Sequence, residues 1–529
     1  MSIDHAGLTG ISTTAQLGPP VPAGPAGSNT VDAAPQRPVR RYYEISPAES
    51  AHTLARIQNQ APATRRVLLR GATVVTMDPG VGDLPTADLL IEGSKIVAVG
   101  KDLAAASSVD TISVDMAGMI LMPGMIDSHR HCWQSAFRRL AVDADLDAYV
   151  ATTHGGMALH YRPEDMYAGT LAACLGALQS GITTILDFSH NSRSREHSDA
   201  VFQAYKDAGI RAVHAAAAPN AGEWDHQWPE DMLRLRDEYC SSGSASSIRM
   251  GIDMYRERPV RELLDFARGN GFGVTFDGVH GSGSADEMIQ LGSEGYLGPD
   301  VSLIHCNDMP DELWQMLAAT GTGVTLAPTS DEQIGIADAM PPIQQALDHG
   351  IAPSLSVDVE ISLAGDMYTQ MRCLLATQRM GIAGRRYAGE TNPPRMLTNK
   401  DVLAFATANG AAHVGLGSTA GRLAPGFEAD IVALRAEDLA TMPLNNAIGT
   451  IVQGVDSAAV DTVIVAGSIQ KWAGSSLYQG TNALRERIHA SRDYLAAQSG
   501  WTVDPTQPTG NRKNNFEHLN RYLNARKGH

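Results

Sequence analysis

The chain has 529 residues, 43% of them hydrophobic and 19% charged, which gives ample apolar material for a core and excludes disorder over most of its length. A formal charge of −17, with 58 carboxylates and no offsetting basic stripe, excludes nucleic acid as a partner. No apolar run reaches the roughly 18 residues that a membrane helix needs, and the N-terminus lacks a basic stretch followed by an apolar segment, so neither membrane spanning nor secretion is expected.

Residues 1–38 are rich in Ala, Pro, Gly, Ser and Thr, too poor in large apolar groups to offset the entropy of ordering, and read as a flexible arm. Residues 39–65 form a short helical lead-in, with Ser46 as a cap and helix formers across 47–61. From Arg66 the chain turns to β-branched runs, VLLRGATVVTMD and ADLLIEGSKIVAVG, broken by turn residues. Short strands of the same character return as ADIVALR and VDTVIVAGSIQKW. Segments 66–117 and 420–475 are therefore expected to build one small antiparallel β-sandwich from both ends of the chain.

Between them, across 118–419, short apolar strands alternate with helical stretches, the sign of repeated βα units and a parallel sheet. Eight strands are read, at 118–127, 181–188, 210–217, 247–253, 272–278, 301–306, 322–328 and 352–359. Helices are read at 166–180, 197–208, 259–269 and 310–319, with another at 398–415 after the eighth strand. The expected class is α/β, a (β/α)₈ TIM barrel inserted into the small sandwich. Residues 476–529 follow as a helical, polar tail.

A parallel barrel carries its active site at the C-terminal ends of its strands, and here those ends are heavily loaded. Strand one ends in Asp127-Ser128-His129-Arg130-His131, strand two runs into Asp187 and His190, and strand five ends in Asp277-Gly278-Val279-His280. Strand six ends in His305-Cys306-Asn307, and strand eight carries Asp358. Side chains two apart on a strand share a face, so His129 and His131 can converge on one ion, and imidazole suits zinc, iron, manganese or nickel. Such a pair alone is common. With a carboxylate and a further His on later strands it has what a one-metal hydrolytic site needs: ligands, a base for water, and a group that polarises the substrate. Asp358 lies in an otherwise apolar strand, where an unpaired carboxylate is costly. Nothing fixes the direction of His190 or His214, and Glu332, Glu360 and Asp366 read equally well as solvated, capping or pocket residues. The five cysteines, 132, 174, 240, 306 and 373, form no CxxC pair and read as reduced thiols of a cytoplasmic protein.

The segments LLRGATVVTMD, LMPGMIDSHRH, GITTILDFSH, LIHCND, SLSVD and GRLAPGFEADIVAL, in that order across roughly 66–475, resemble the amidohydrolase superfamily, in its branch of triazine hydrolases and cytosine or adenosine deaminase-like enzymes. The resemblance implies that His129 and His131 bind a metal and that His305 sits beside the attacking water or the substrate, as ligand or charge stabiliser. It also implies that Asp358 binds metal and takes the water's proton. Strand five departs from the pattern. Relatives usually have a His there and an acidic residue three positions later, whereas this chain has Asp277 and then His280. Asp277 can bind the ion directly, bind it through water, or fall short of it; His280 can take over the proton shuttle.

No Lys is suitably placed at a strand end to bridge two metals, so one divalent transition ion is expected, zinc first, with iron or manganese as alternatives. The implied reaction is water attack on a C–N bond of a small nitrogen compound, by deamination or amide opening. The alternative is dechlorination, dehydration or cyclisation at the same site, and a non-catalytic binding protein is a third reading. Trp133, Gln134, His190 and Thr329 are expected on the substrate wall, and the chain is expected to form a homo-oligomer, a dimer or tetramer.

Overall fold

The computed structural model describes residues 45–103, 110–241, 243–253, 258–336 and 340–506. The arm at 1–38 and the end of the tail lie outside the described residues. The lead-in forms a helix, Pro47–Gln58, whose first turn is capped by the Ser46 hydroxyl accepting from the Glu49 amide.

Two sheets follow. The first has nine strands from both ends of the chain: β1 (Arg66–Val74), β2 (Leu84–Glu92), β3 (Lys95–Gly100), β4 (Ile112–Asp115) and β5 (Met119–Pro123), then, after the barrel strands, β14 (Ile431–Arg435), β15 (Val460–Val465), β16 (Ser468–Trp472) and β17 (Ser475–Ser476). Their order is β17-β16-β15-β14-β5-β1-β2-β3, with β4 also on β1. The expected antiparallel pairing holds except at β1, which runs parallel to β4 and β5.

The second sheet is the parallel barrel: β6 (Met125–Arg130), β7 (Ile182–Ser189), β8 (Arg211–Ala216), β9 (Ser246–Asp253), β10 (Val274–His280), β11 (Val301–Asn307), β12 (Gly323–Leu326) and β13 (Ser354–Leu355). They neighbour one another in sequence order. Their apolar residues are buried, as a sheet covered by helices on one face and filled on the other demands.

Two strand expectations are corrected. The run 118–127 is two strands, because the chain leaves the small sheet after β5 and enters the barrel as β6. It changes sheets at Gly124, where an added Cβ would lie 2.0 Å from the Thr183 hydroxyl. The eighth strand is also shorter than 352–359. Beyond Leu355 it leaves the regular ladder, and Asp358 closes the barrel by donating its amide to the His129 carbonyl and accepting from the His131 amide, each at 3.0 Å. The seam of the barrel thus runs through His129, His131 and Asp358.

Helices Pro163–Gln179, Arg195–Ala208, Val260–Gly269 and Asp311–Thr320 follow the sequence reading to within three residues. The reading at 398–415 divides into Asn399–Phe405 and Ala408–His413. In the tail, helix Thr481–Ser499 packs on Pro163–Gln179, with the Arg162 guanidinium 3.7 Å over the Tyr494 ring.

Candidate metal centre

Five side chains from four strand ends converge at the C-terminal mouth of the barrel. Nε2 of His129 lies 3.2 Å from Oδ1 of Asp358 and 3.6 Å from Oδ1 of Asp277. Nε2 of His131 lies 3.2 Å from the same Asp358 oxygen and 3.4 Å from Oδ2 of Asp277. Nε2 of His305 is 3.6 Å from Oδ1 of Asp277. All five residues are buried, and two overlapping triads, His129/His131/Asp277 and His129/His305/Asp358, each bring one donor atom apiece within 4.8 Å of one another.

The surroundings aim these groups. The Phe188 carbonyl lies 3.3 Å from Nδ1 of His131, which leaves Nε2 for the centre. Asp331 lies 3.0 Å from Nδ1 of His305 and does the same there. The Ser330 hydroxyl donates to Oδ2 of Asp358, leaving Oδ1 toward the imidazoles. His305 and Asp358 both sit at positive φ, 73° and 67°, a costly conformation for residues other than glycine that concentrates at functional sites.

The donor set fits a divalent transition ion. Imidazole nitrogen and carboxylate oxygen are the right donor types. Although His129 stands so close to two carboxylates, neither of its ring nitrogens makes a hydrogen bond; a buried donor or acceptor left so is rare unless something else engages it. Charge argues the same way. Burial works to raise the Asp358 carboxyl, but His129 and His131 beside it outweigh burial and hold it below the usual range. Asp277 is held low in the same way, by His129, His131 and His305. Burial opposes protonation of His131, yet its hydrogen bonds to Asp277 and Asp358 win and push it up to about 10. Two buried carboxylates thus demand about two positive charges, and a divalent ion answers that demand as well as protons do.

Over the centre lies a small cavity of about 80 Å³. Its metal-side wall is His131, Asp277, His305 and Asp358; Tyr149, His154 and His190 form an aromatic wall; Leu146, Val150, Ile334 and Ile336 are the apolar part. Asn220 and Asp253, bonded to each other at 2.9 Å, complete the lining.

Of the residues expected on the substrate wall, His190 lines the cavity, whereas Trp133, Gln134 and Thr329 stand behind the lining. Trp133 is fully buried, its ring 5.6 Å from that of His190. Gln134 donates to the Tyr149 hydroxyl at 2.7 Å, and Thr329 is bonded to Gln370. A helical turn after strand one carries Trp133 and Gln134 into the protein, and one after strand seven does so for Thr329, a direction that adjacency to the ligands does not reveal. His280 ends β10 half-buried, outside the ligand triads and the cavity lining; burial, and then the charge on His305, lowers its pKa. His214 is bonded to Tyr205, which donates to Asp187, away from the cavity.

Asp331, Tyr149, His154, Asn220 and Asp253 were not singled out from the sequence. Asp253 and Asp331 stand at or just past strand ends and were within reach of that rule. Tyr149 lies on helix Leu146–Thr153 and His154 caps it; no periodicity points either toward the barrel mouth.

The comparisons with known proteins agree with this architecture. The model of the amidohydrolase family matches residues 120–269 and 287–469. A 5-methylthioadenosine/S-adenosylhomocysteine deaminase of Pelotomaculum thermopropionicum is 26% identical over 421 residues, 76% of this chain and 92% of that protein. A 5'-deoxyadenosine deaminase of Methanothermobacter thermautotrophicus is 27% identical over 408 residues, 73% and 90% of the two chains. Among solved structures, an adenosine deaminase of Xanthomonas campestris with bound zinc superposes with a TM-score of 0.70 at 19% identity, covering 82% of this chain and 98% of that one. Atrazine chlorohydrolase of Arthrobacter aurescens complexed with zinc gives 0.67 at 23%, covering 80% and 100%. Barrel, strand-end centre and a family match over more than half of the length together establish that the chain belongs to the amidohydrolase family, as an enzyme acting on carbon–nitrogen bonds other than peptide bonds.

Proposed function

We propose that the chain holds one divalent transition ion, zinc first, with iron or manganese as alternatives, and hydrolytically deaminates a small nitrogen heterocycle of the aminopurine nucleoside type. The observation that carries this reading is the convergence of three imidazoles and two carboxylates, with both ring nitrogens of His129 free of hydrogen bonds. The relatives named as deaminases of adenosine derivatives support the substrate class.

His129, His131, Asp277 and Asp358 would hold the ion, with His305 as a further ligand or as the group facing the substrate. When bound, the ion supplies Lewis acidity to the reacting water. Asp358, its second oxygen tied to Ser330, accepts the proton that water loses. That proton passes to the leaving nitrogen, so water's oxygen becomes bonded to the ring carbon and the amine departs as ammonia. His305, oriented by Asp331, stabilises negative charge developing on the ring. His280 is assigned the exchange of protons at the rim, and His190 and Tyr149 contact the substrate's ring; Trp133, Gln134 and Thr329 support that wall from behind.

The second reading is dechlorination, dehydration or cyclisation at the same centre. It is favoured by one observation: Asp277 lies among the ligands where relatives usually have His, while His280 stands outside them. Incubating the zinc-loaded protein with 5'-deoxyadenosine, 5-methylthioadenosine and adenosine while following ammonia decides between the two. Ammonia release supports deamination; its absence with all three, in a protein that retains its ion, favours the second.

We also propose a cytoplasmic setting and a homo-oligomeric state. All five cysteines are free thiols, which suits a reducing cytoplasm, and no helix among the described residues is long and apolar enough to cross a membrane. Met380 and Tyr387, 68% and 94% exposed and seven residues apart on helix Met367–Tyr387, offer an apolar face for a homo-oligomer, a dimer or tetramer.

A further inference from the structure

Arg130 lies between the two strand-one imidazoles in sequence, yet its side chain turns away from the centre and is fully buried. Its guanidinium meets Asp127 at 3.1 Å and Glu360 at 3.0 Å. Glu360 is two residues beyond Asp358. Its other contacts come from the segment after strand one: the Ser135 hydroxyl donates to it, and Nε of Arg138 donates at 2.9 Å. The backbone continues the seam, with the Arg139 amide on the Glu360 carbonyl at 3.0 Å and the Ala141 amide on the Ile361 carbonyl at 3.1 Å. On the near side of Asp358, Oδ1 of Asp127 accepts the Val357 amide at 2.9 Å.

Asp358 is therefore tied on both flanks to the strand that carries His129 and His131. Space has been left for the pair. A Cβ at Gly365 would lie 2.3 Å from Oε1 of Glu360 and 3.0 Å from Nη2 of Arg130, so this position has to be glycine for the two charges to meet. Buried ion pairs are expensive and seldom the cheapest way to stabilise a fold, whereas fixing a register or an orientation is their best-supported use. Here the orientation at stake is that of a carboxylate on a backbone at positive φ, which is not self-supporting.

We propose that Arg130 and Glu360 are a positioning pair: they lock the strand-eight turn against strand one, so that Asp358 and the two imidazoles share an ion. Neither residue lines the cavity or belongs to the ligand triads. The proposal rests on the metal reading of the centre and adds that ion retention depends on a buried charge pair behind it.

The test is zinc affinity of the full-length protein by chelator competition, with far-UV circular dichroism and thermal unfolding measured in parallel. Glu360→Gln and Arg130→Lys should fold and bind zinc about 10–100-fold more weakly, the range for removing a partner behind a ligand. Asp430→Asn is the control. It breaks the buried Arg211–Asp430 pair, 2.7 Å, which joins β8 to the small sheet and touches no ligand; it should lower the unfolding temperature and leave zinc affinity unchanged. Wild-type affinity in folded Glu360→Gln, or an equal loss in Asp430→Asn, overturns the assignment. If both Arg130 and Glu360 variants fail to fold while the control folds, the pair is a folding element and the assignment also falls. A wild-type protein that retains no transition ion overturns the metal reading itself.

Discussion

Oδ1 of Asp331 lies 3.0 Å from Nδ1 of His305, and both groups are buried. That contact fixes which face of the imidazole looks into the cavity, and it makes Asp331 a residue that acts through another. Burial opposes protonation of His305, but hydrogen bonds to Asp277 and Asp331 outweigh it and raise its pKa. Asp331→Ala should lower turnover about 10–100-fold with a smaller change in KM. Asp331→Asn, whose side-chain oxygen still accepts from Nδ1, should recover most of the loss. Equal losses in the two variants would show that the charge of Asp331, and not the orientation it imposes, is what matters.

Strand five separates ligand from shuttle. Asp277→Ala should lose the ion, read by elemental analysis, because Asp277 approaches three imidazole nitrogens within 3.6 Å. His280→Ala should keep the ion and lose about a hundredfold in turnover, the lower end of the range for a proton-transfer group. Full metal in the first variant with metal loss in the second would reverse the assignment.

Tyr149 lines the cavity with its hydroxyl anchored by Gln134. Removing the hydroxyl takes one hydrogen-bonding group from the substrate wall. Tyr149→Phe should raise KM about 3–10-fold, the equivalent of one ordinary hydrogen bond, with kcat changed less. A fall in kcat at constant KM would place Tyr149 in the chemical step.

His214 gives the fold a pH dependence that is independent of the centre. Burial depresses its pKa from 6.5 to about 3. Between those two values the unfolded chain binds a proton that the native chain refuses, so stability is full above pH 6.5 and falls as the pH drops toward 3. Urea unfolding should show His214 contributing a slope of about 1.4 kcal/mol per pH unit in that window. His214→Asn should remove that slope, and an unchanged slope would assign the acid sensitivity elsewhere.

Much of this was legible in the sequence because the barrel writes itself in a simple code. Eight apolar runs spaced by helical stretches gave the fold, and polar residues at the ends of those runs gave His129, His131, Asp277, His305 and Asp358, which the structure brings together. What was not legible depends on direction. Nothing local distinguishes Trp133 behind the wall from His190 on it, and the side chain of Glu360 finds Arg130 only because strand eight closes on strand one, a contact 230 residues apart in sequence. The single run from 118 to 127 hid a change of sheet because both of its halves are equally apolar.

The most direct test is the metal content and turnover of the purified chain beside Asp358→Asn. If the centre works as proposed, the wild type carries about one transition ion per chain and releases ammonia from an aminopurine nucleoside, and removing the ion abolishes turnover reversibly. Asp358→Asn should fold and lose at least about a hundredfold in turnover. A metal-free protein that still turns over at the full rate would contradict the reading.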